Sequence, residues 1–153
     1  MDWNTELTLI VRTLLATIIG ALVGLERELH GREAGIRTYA AVALGACTFG
    51  LLSQHVGPAV DTRIAANVAT GIGFIGAGLI FKDGSRVSGL TTAATIWSTA
   101  AMGLSIAFGM YVLGVLTGLI IFLLLAVHDF PVWKKFKEKH AQHKNKKHEN
   151  GNA

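Results

Sequence analysis

Between Arg86 and Asp129 the chain carries no Asp, Glu, Lys or Arg, a gap of 42 residues. As one helix that stretch would run roughly 63 Å at 1.5 Å per residue. The hydrocarbon core of a bilayer is only about 30 Å thick. One crossing cannot absorb the gap, so it must hold two apolar spans and a turn. A soluble domain has no place for such a segment, and only 16% of the residues are charged, against a usual soluble share of about 25%.

The same reading extends upstream. Apolar runs at 7–25, 38–54, 64–81, 89–108 and 110–127 are each close to the minimum length for a crossing. The expected fold class is therefore all-α, a polytopic membrane helix bundle of about five transmembrane helices. Residues 1–130 form the membrane domain and 131–153 a basic, disordered tail. The first six residues lack the positive start of a cleavable signal peptide, so the first apolar run is expected to stay in the mature chain.

Charge sets the expected orientation. Twelve of the 14 basic residues fall after span one, after span three or in the tail. The positive-inside rule then puts the N-terminus outside and the C-terminus in the cytoplasm. The exceptions are Arg63 and Arg12, and Arg12 lies inside span one. It shares a helix face with Glu26 but sits about 21 Å away along the axis. It is expected to snorkel to the outer interface rather than to pair with Glu26. Gly103 and Gly109 are the expected breakers between spans four and five, with a broken or re-entrant span four as the alternative.

Four groups of residues carry candidate chemistry. Glu26, Arg27, Glu28 and Arg37, followed by Thr38, cluster at the cytoplasmic mouth of spans one and two, where isolated charge is costly. They are expected to form one network. Span three holds Gly71, Gly73, Gly76 and Gly78. The spacing has the letters of a dinucleotide loop, but that loop needs a strand before it, and this one lies within an apolar span. Close helix packing is the favoured reading, and an unwound turn exposing carbonyls to an ion is the sharper one. Asn67, one turn earlier, can bridge helices or supply an oxygen ligand.

Span four carries a hydroxyl stripe, Thr91, Thr95 and Ser98, flanked by Thr92 and Thr99. Such a stripe serves interhelical hydrogen bonds or lines a permeation path. Trp97 falls near mid-span and is expected between helices. The pairs Gly20 and Gly24 in span one, and Gly114 and Gly118 in span five, open grooves for close backbone approach. Packing inside one bundle is the plain reading; a homodimer seam, with both protomers in one orientation, is the sharper one. Cys47 reads as a small packing residue.

Tail histidines His140, His143 and His148 lie among flexible lysines and make a poor metal site. The seven tail lysines fit anionic lipid headgroups better. No nucleophile–base pair or metal cluster marks an enzyme, no cofactor motif survives its context, and nothing points to nucleic acid. No acid lies deep within any expected span, which argues against carriage of a divalent cation, since such an ion needs carboxylates.

Four ordered motifs, Gly-Leu-Glu-Arg-Glu at 24–28, Ala-Gly-Ile-Arg-Thr at 34–38, Gly-Ile-Gly-Phe-Ile-Gly-Ala-Gly at 71–78 and Gly-Leu-Thr-Thr-Ala-Ala at 89–94 followed by Trp97, resemble the MgtC/SapB family of bacterial inner-membrane proteins. The resemblance spans about residues 7 to 127. It implies five membrane spans with a cytoplasmic C-terminus, and a multi-pass protein of the inner membrane. It also implies a part in magnesium homeostasis and stress adaptation, with the proton-driven ATP synthase as a family partner. Many members carry a folded soluble domain after the membrane part, where this chain has its lysine-rich stretch. Two functions follow: a non-enzymatic membrane protein acting through protein partners, or alternatively a transporter or channel for an ion or small solute.

Overall fold

The computed structural model describes residues 2–56 and 61–127. Through Phe122 the chain forms one compact unit, and a second begins at Leu123. The lysines and histidines of the tail lie outside the described residues.

Five helices account for most of the described residues: α1 (Trp3–Leu29), α2 (Ile36–Val56), α3 (Asp61–Gly78), α4 (Leu90–Ala107) and α5 (Tyr111–Ala126). By length and composition α1, α2 up to His55, and α4 can each cross a membrane. The 16 residues of α5 are apolar throughout but shorter. Helix α3 has 18 residues but carries Asp61, Arg63 and Asn67. The apolar gap does fold into two helices. Gly109, at φ +76°, makes the turn between them, and the Met110 amide donates back to the Ser105 carbonyl at 2.9 Å. That geometry closes the orphan carbonyls of a helix end.

Gly103 is no breaker. It sits within an unbroken α4, where a Cβ would come 2.6 Å from the Ala43 carbonyl oxygen. The end of the third apolar run also departs from expectation. Phe81–Asp83 and Arg86–Ser88 pair as a short antiparallel hairpin (β1, β2), with Lys82 opposite Val87. The turn between them holds Gly84 at φ +56°.

Helix α1 packs on α2 and α4, while α3 lies against α2 and α4. The core is made of small or flexible side chains: Ala16, Ala43, Cys47, Met102, Ile106 and Ala107. Small residues here bring backbones together, as membrane helix pairs require. A Cβ on Gly20 would meet Ala43 Cβ at 2.6 Å, and one on Gly24 would meet the Gly35 oxygen at 2.7 Å. Gly114 packs on Ile106 and Gly118 on Ile19. All four glycines are thus used inside one protomer, which leaves none of them open for a seam with another chain.

The outer faces are of two kinds. Along α1, Leu7, Ile10, Val11, Leu14, Ile18 and Leu22 are all at least half exposed, the bulky aliphatic surface suited to lipid tails. Along α3 the exposed positions are mostly small or polar, Arg63, Ala66, Asn67, Ala69, Thr70, Gly71, Gly73, Ala77 and Gly78, with Phe74 and Ile75 as the large ones.

Candidate functional site

The last turn of α1 brings two charged residues inside. Glu26 and Arg27 are each only 6% exposed, among the least common residues to be buried unless paired. The helix end is closed by local bonds: the Arg32 amide donates to the Arg27 carbonyl at 3.0 Å, and Gly31 takes φ +64°. With no side chain at Gly24, the start of α2 lies directly over this turn. That contact is what covers the pair.

Within the site, Arg27 Nη1 stands 4.0 Å from Glu26 Oε2. Arg27 Nη2 donates to the Thr92 hydroxyl on α4, a long contact of 3.4 Å. His30 Nδ1 is 2.7 Å from the Glu26 carbonyl oxygen and 3.1 Å from Oε1. Both are acceptors, so the Nδ1 proton sits on the histidine. Behind the pair, Tyr39 of α2 is fully buried and its hydroxyl lies 2.6 Å from that of Thr95. Thr95 has one hydroxyl proton, within reach of the Thr91 carbonyl at 2.9 Å; Tyr39 is then the donor of the pair. Three helices therefore meet in one polar brace. Two buried atoms in it, Glu26 Oε2 and Arg27 Nε, have no hydrogen-bond partner among the described residues.

The expected four-residue network is divided. Glu28 points away from the pair: its Oε2 accepts from the Ile36 amide at 3.0 Å and caps the start of α2. Arg37 is exposed on α2 and forms no ion pair among the described residues. Glu28 follows Glu26 by two residues, about 200° round α1, and so leaves the helix on the far side, while Arg37 lies on α2. Thr38 is exposed and lines a groove with Asn67 and Gly71.

On α4 the buried hydroxyls are Thr95 and Thr99, with Thr92 half-buried; Thr91 is exposed. The working stripe thus runs 92, 95, 99 rather than 91, 95, 98. Trp97 is 54% exposed and does not lie between helices of this chain. Among the span-three glycines only Gly76 packs, with its added Cβ 3.6 Å from Ala93; Gly71, Gly73 and Gly78 face open space. The close packing expected of them is not within the protomer, and α3 is helical through them.

Residues that sequence reading passed over are Tyr39, Gln54 and Tyr111. Gln54 donates to the Ala107 carbonyl at 2.7 Å. Arg12 Nη1 donates to that same oxygen and Nε to the Tyr111 hydroxyl, both at 2.8 Å. Arg12 does not reach along α1 to the interface; it turns sideways to the end of α4. No group of three or more His, Cys, Asp or Glu suited to a metal occurs among the described residues.

The MgtC family profile matches residues 13–131. The chain is 43% identical over 129 residues to "Putative magnesium transporter YhiD" of Escherichia coli (strain K12), covering 77% of this chain and 59% of that protein. It is 52% identical over 89 residues to "Protein MgtC" of Brucella abortus (strain 2308), covering 58% and 37% of the two chains. Against "Protein MgtC" of Salmonella typhimurium (strain LT2) the figures are 46% over 102 residues, 67% and 44%. The chain therefore spans between about a third and three fifths of these relatives. No solved structure matches it.

Proposed function

The chain belongs to the MgtC family, and from that premise we propose that it serves magnesium-linked ion homeostasis as a non-enzymatic inner-membrane protein that acts through contacts with other membrane proteins. The observation that carries this reading is the way the polar brace ends. Beyond Thr99 the interior passes into the apolar cluster of Ala16, Ala43, Cys47, Met102 and Ile106, all fully buried. Among the described residues the only further buried polar side chain is Ser53, too little to carry a polar line through the cluster. An ion crossing this protomer would shed its hydration with too few oxygen ligands to replace it. The outer surface supplies the other half of the argument. The small and polar exposed residues of α3 have the composition of a membrane helix interface, whereas α1 has that of a lipid-facing helix.

The expected homodimer is accordingly moved from the four internally packed glycines to the α3 face. Asn67 is both donor and acceptor and can pair with its own copy across a two-fold axis along the membrane normal. The ATP synthase stands as the partner drawn from family resemblance, and the N-outside, C-inside orientation as that drawn from charge.

The transporter reading has one observation in its favour, the buried Glu26 oxygen without a partner. Proteoliposomes containing the chain, loaded with a magnesium indicator, separate the two. Our reading expects no flux above empty vesicles, together with loss of growth support at low magnesium when Gly73→Leu alters the α3 face of a correctly inserted protein. Saturable Mg²⁺ flux from the purified chain, or full growth support by that variant, overturns it.

A further inference from the structure

The opposite end of α1 raises a question that the proposed function does not touch. Arg12 lies nine residues into the helix, about 14 Å along its axis. The 27 residues of α1 reach about 40 Å, close to the full bilayer with its headgroups, of which roughly 30 Å is hydrocarbon. If α1 is centred, Arg12 stands several ångströms inside the hydrocarbon boundary. An arginine there normally stretches its stem toward the headgroups. This one is held sideways by Tyr111 and the Ala107 carbonyl, with its guanidinium carbon 5.5 Å from the centre of the Tyr111 ring. Its charge is fixed at that depth.

The charge is also unmatched. Among the described residues no carboxylate pairs with Arg12. The C-terminal end of α4 offers a partial charge of roughly half a unit, and so covers only part of it. The two bonds use Nε and one proton of Nη1, which leaves three of the five guanidinium N–H groups without an acceptor among the described residues.

A cleft of about 300 Å³ opens onto this group between α1 and α2. Thr5, Thr8 and Arg12 line it from α1, and Gln54 and His55 from α2, with two leucines. Among the described residues no acidic side chain lines it. Its two threonine hydroxyls donate locally, Thr5 to Asp2 and Thr8 to the Asn4 carbonyl, and Gln54 spends its amide on Ala107 and Gly50. The donors left for a ligand are those of Arg12 and the ring of His55. A cation at the floor, an imidazole at the side and apolar walls make a receptor for one anion. The forked guanidinium suits tetrahedral oxyanions in particular.

We propose that this cleft is a phosphate-binding site, with Arg12 as its anchor and His55 as its second donor. The same chemistry is presented by a phospholipid headgroup lowered between α1 and α2 and by a free phosphate ion. The site is independent of the function proposed above.

The test uses the full chain in a non-ionic maltoside detergent, titrated by calorimetry with two probes, dihexanoyl phosphatidylglycerol and inorganic phosphate. Wild type is expected to bind at least one of them saturably. Thr8→Trp fills the cleft without touching any bond of Arg12, and Arg12→Gln removes the anchor; each should weaken binding at least about tenfold, the worth of one charge-assisted contact. Circular dichroism verifies that each variant folds, and Thr8→Trp decides alone if Arg12→Gln does not. Binding of the lipid only assigns the site to a headgroup. Binding of inorganic phosphate, with or without the lipid, assigns it to a free anion. No saturable binding of either probe, or binding unchanged in folded Thr8→Trp, overturns the proposal.

Discussion

Helix α1 sends two arginines to α4, and the two ends of that pairing are built differently. Arg27 reaches Thr92 and Arg12 reaches Ala107, fifteen residues apart on both helices, which keeps the antiparallel register of the pair. At the Arg27 end the charge is almost wholly buried and has a carboxylate beside it, but its bond to α4 is long. At the Arg12 end the charge is half-buried and has no carboxylate among the described residues, yet its bonds are short. Burying a charge can therefore be managed by a counter-ion or by the carbonyls of a helix terminus. The first way depends on a partner that can be deleted. The second keeps a backbone acceptor, the Ala107 carbonyl, when a side-chain partner such as Tyr111 is removed.

That contrast is sharpest under Glu26→Ala. The substitution leaves Arg27 buried with no counter-charge, a situation that costs about 3–5 kcal/mol in proteins. The expected outcome is loss of folded protein in denaturation from bicelles, with Glu26→Gln less damaging because an amide oxygen still faces Arg27. If Glu26→Ala is as stable as wild type, the pair does not hold that end of the bundle and the comparison fails.

A smaller effect is expected where the two helices approach. Gly24→Leu places a side chain where even a Cβ lies 2.7 Å from the Gly35 oxygen and the Ile36 Cα. Both neighbours are backbone and cannot swing aside, so a cost of about 1–3 kcal/mol follows. Gly45→Leu is the control, since nothing lies within 4 Å of its added Cβ. Equal stability of the two variants would show that the cover over Glu26 and Arg27 does not need the close contact.

How far the sequence foretold these features follows from which signals are local. The five helices were legible because apolar run length against bilayer thickness is a one-dimensional measure. The β1–β2 hairpin was not, although Asp83-Gly84 between Phe81 and Val87 is a turn signal, because the apolar run continues without a break to Phe81. Burial of Glu26 and Arg27 was foreseen only as a boundary cost, because what covers them is the chain crossing at Gly24, a contact made eleven residues later. Proximity in sequence groups Glu28 and Arg37 with them, but Glu28 leaves α1 on another face and Arg37 lies on α2. The glycines of α3 show the limit most clearly. Their spacing announces close approach, but not with whom, and the folded protomer leaves Gly71, Gly73 and Gly78 open.

At the Arg12 end, Tyr111→Phe removes one short bond from a charged donor and keeps the ring under the guanidinium. Bonds to charged groups contribute about 1.5–3 kcal/mol when buried, but Tyr111 is 39% exposed and water can replace it. A loss near 1 kcal/mol is expected. A loss as large as that of Glu26→Ala would show that the two ends are not differently built.

The smallest effect is expected at the long bond. Thr92→Val keeps the shape of the side chain and removes the hydroxyl that accepts from Arg27 Nη2. At 3.4 Å that contact lies beyond the usual 2.7–3.2 Å range for N–H···O bonds. Interhelical polar contacts in membranes average only about 0.6 kcal/mol. Thr92→Val should therefore shift stability by no more than about that amount. Tyr39→Phe, which removes the 2.6 Å contact with Thr95 one turn further in, should cost more. Reversal of that order, measured on both variants by the same bicelle denaturation, would mean that Arg27 is held to α4 rather than merely neutralised by Glu26. The two ends of α1 would then be clamps of one kind, each anchored on α4, and the carboxylate an addition to the first.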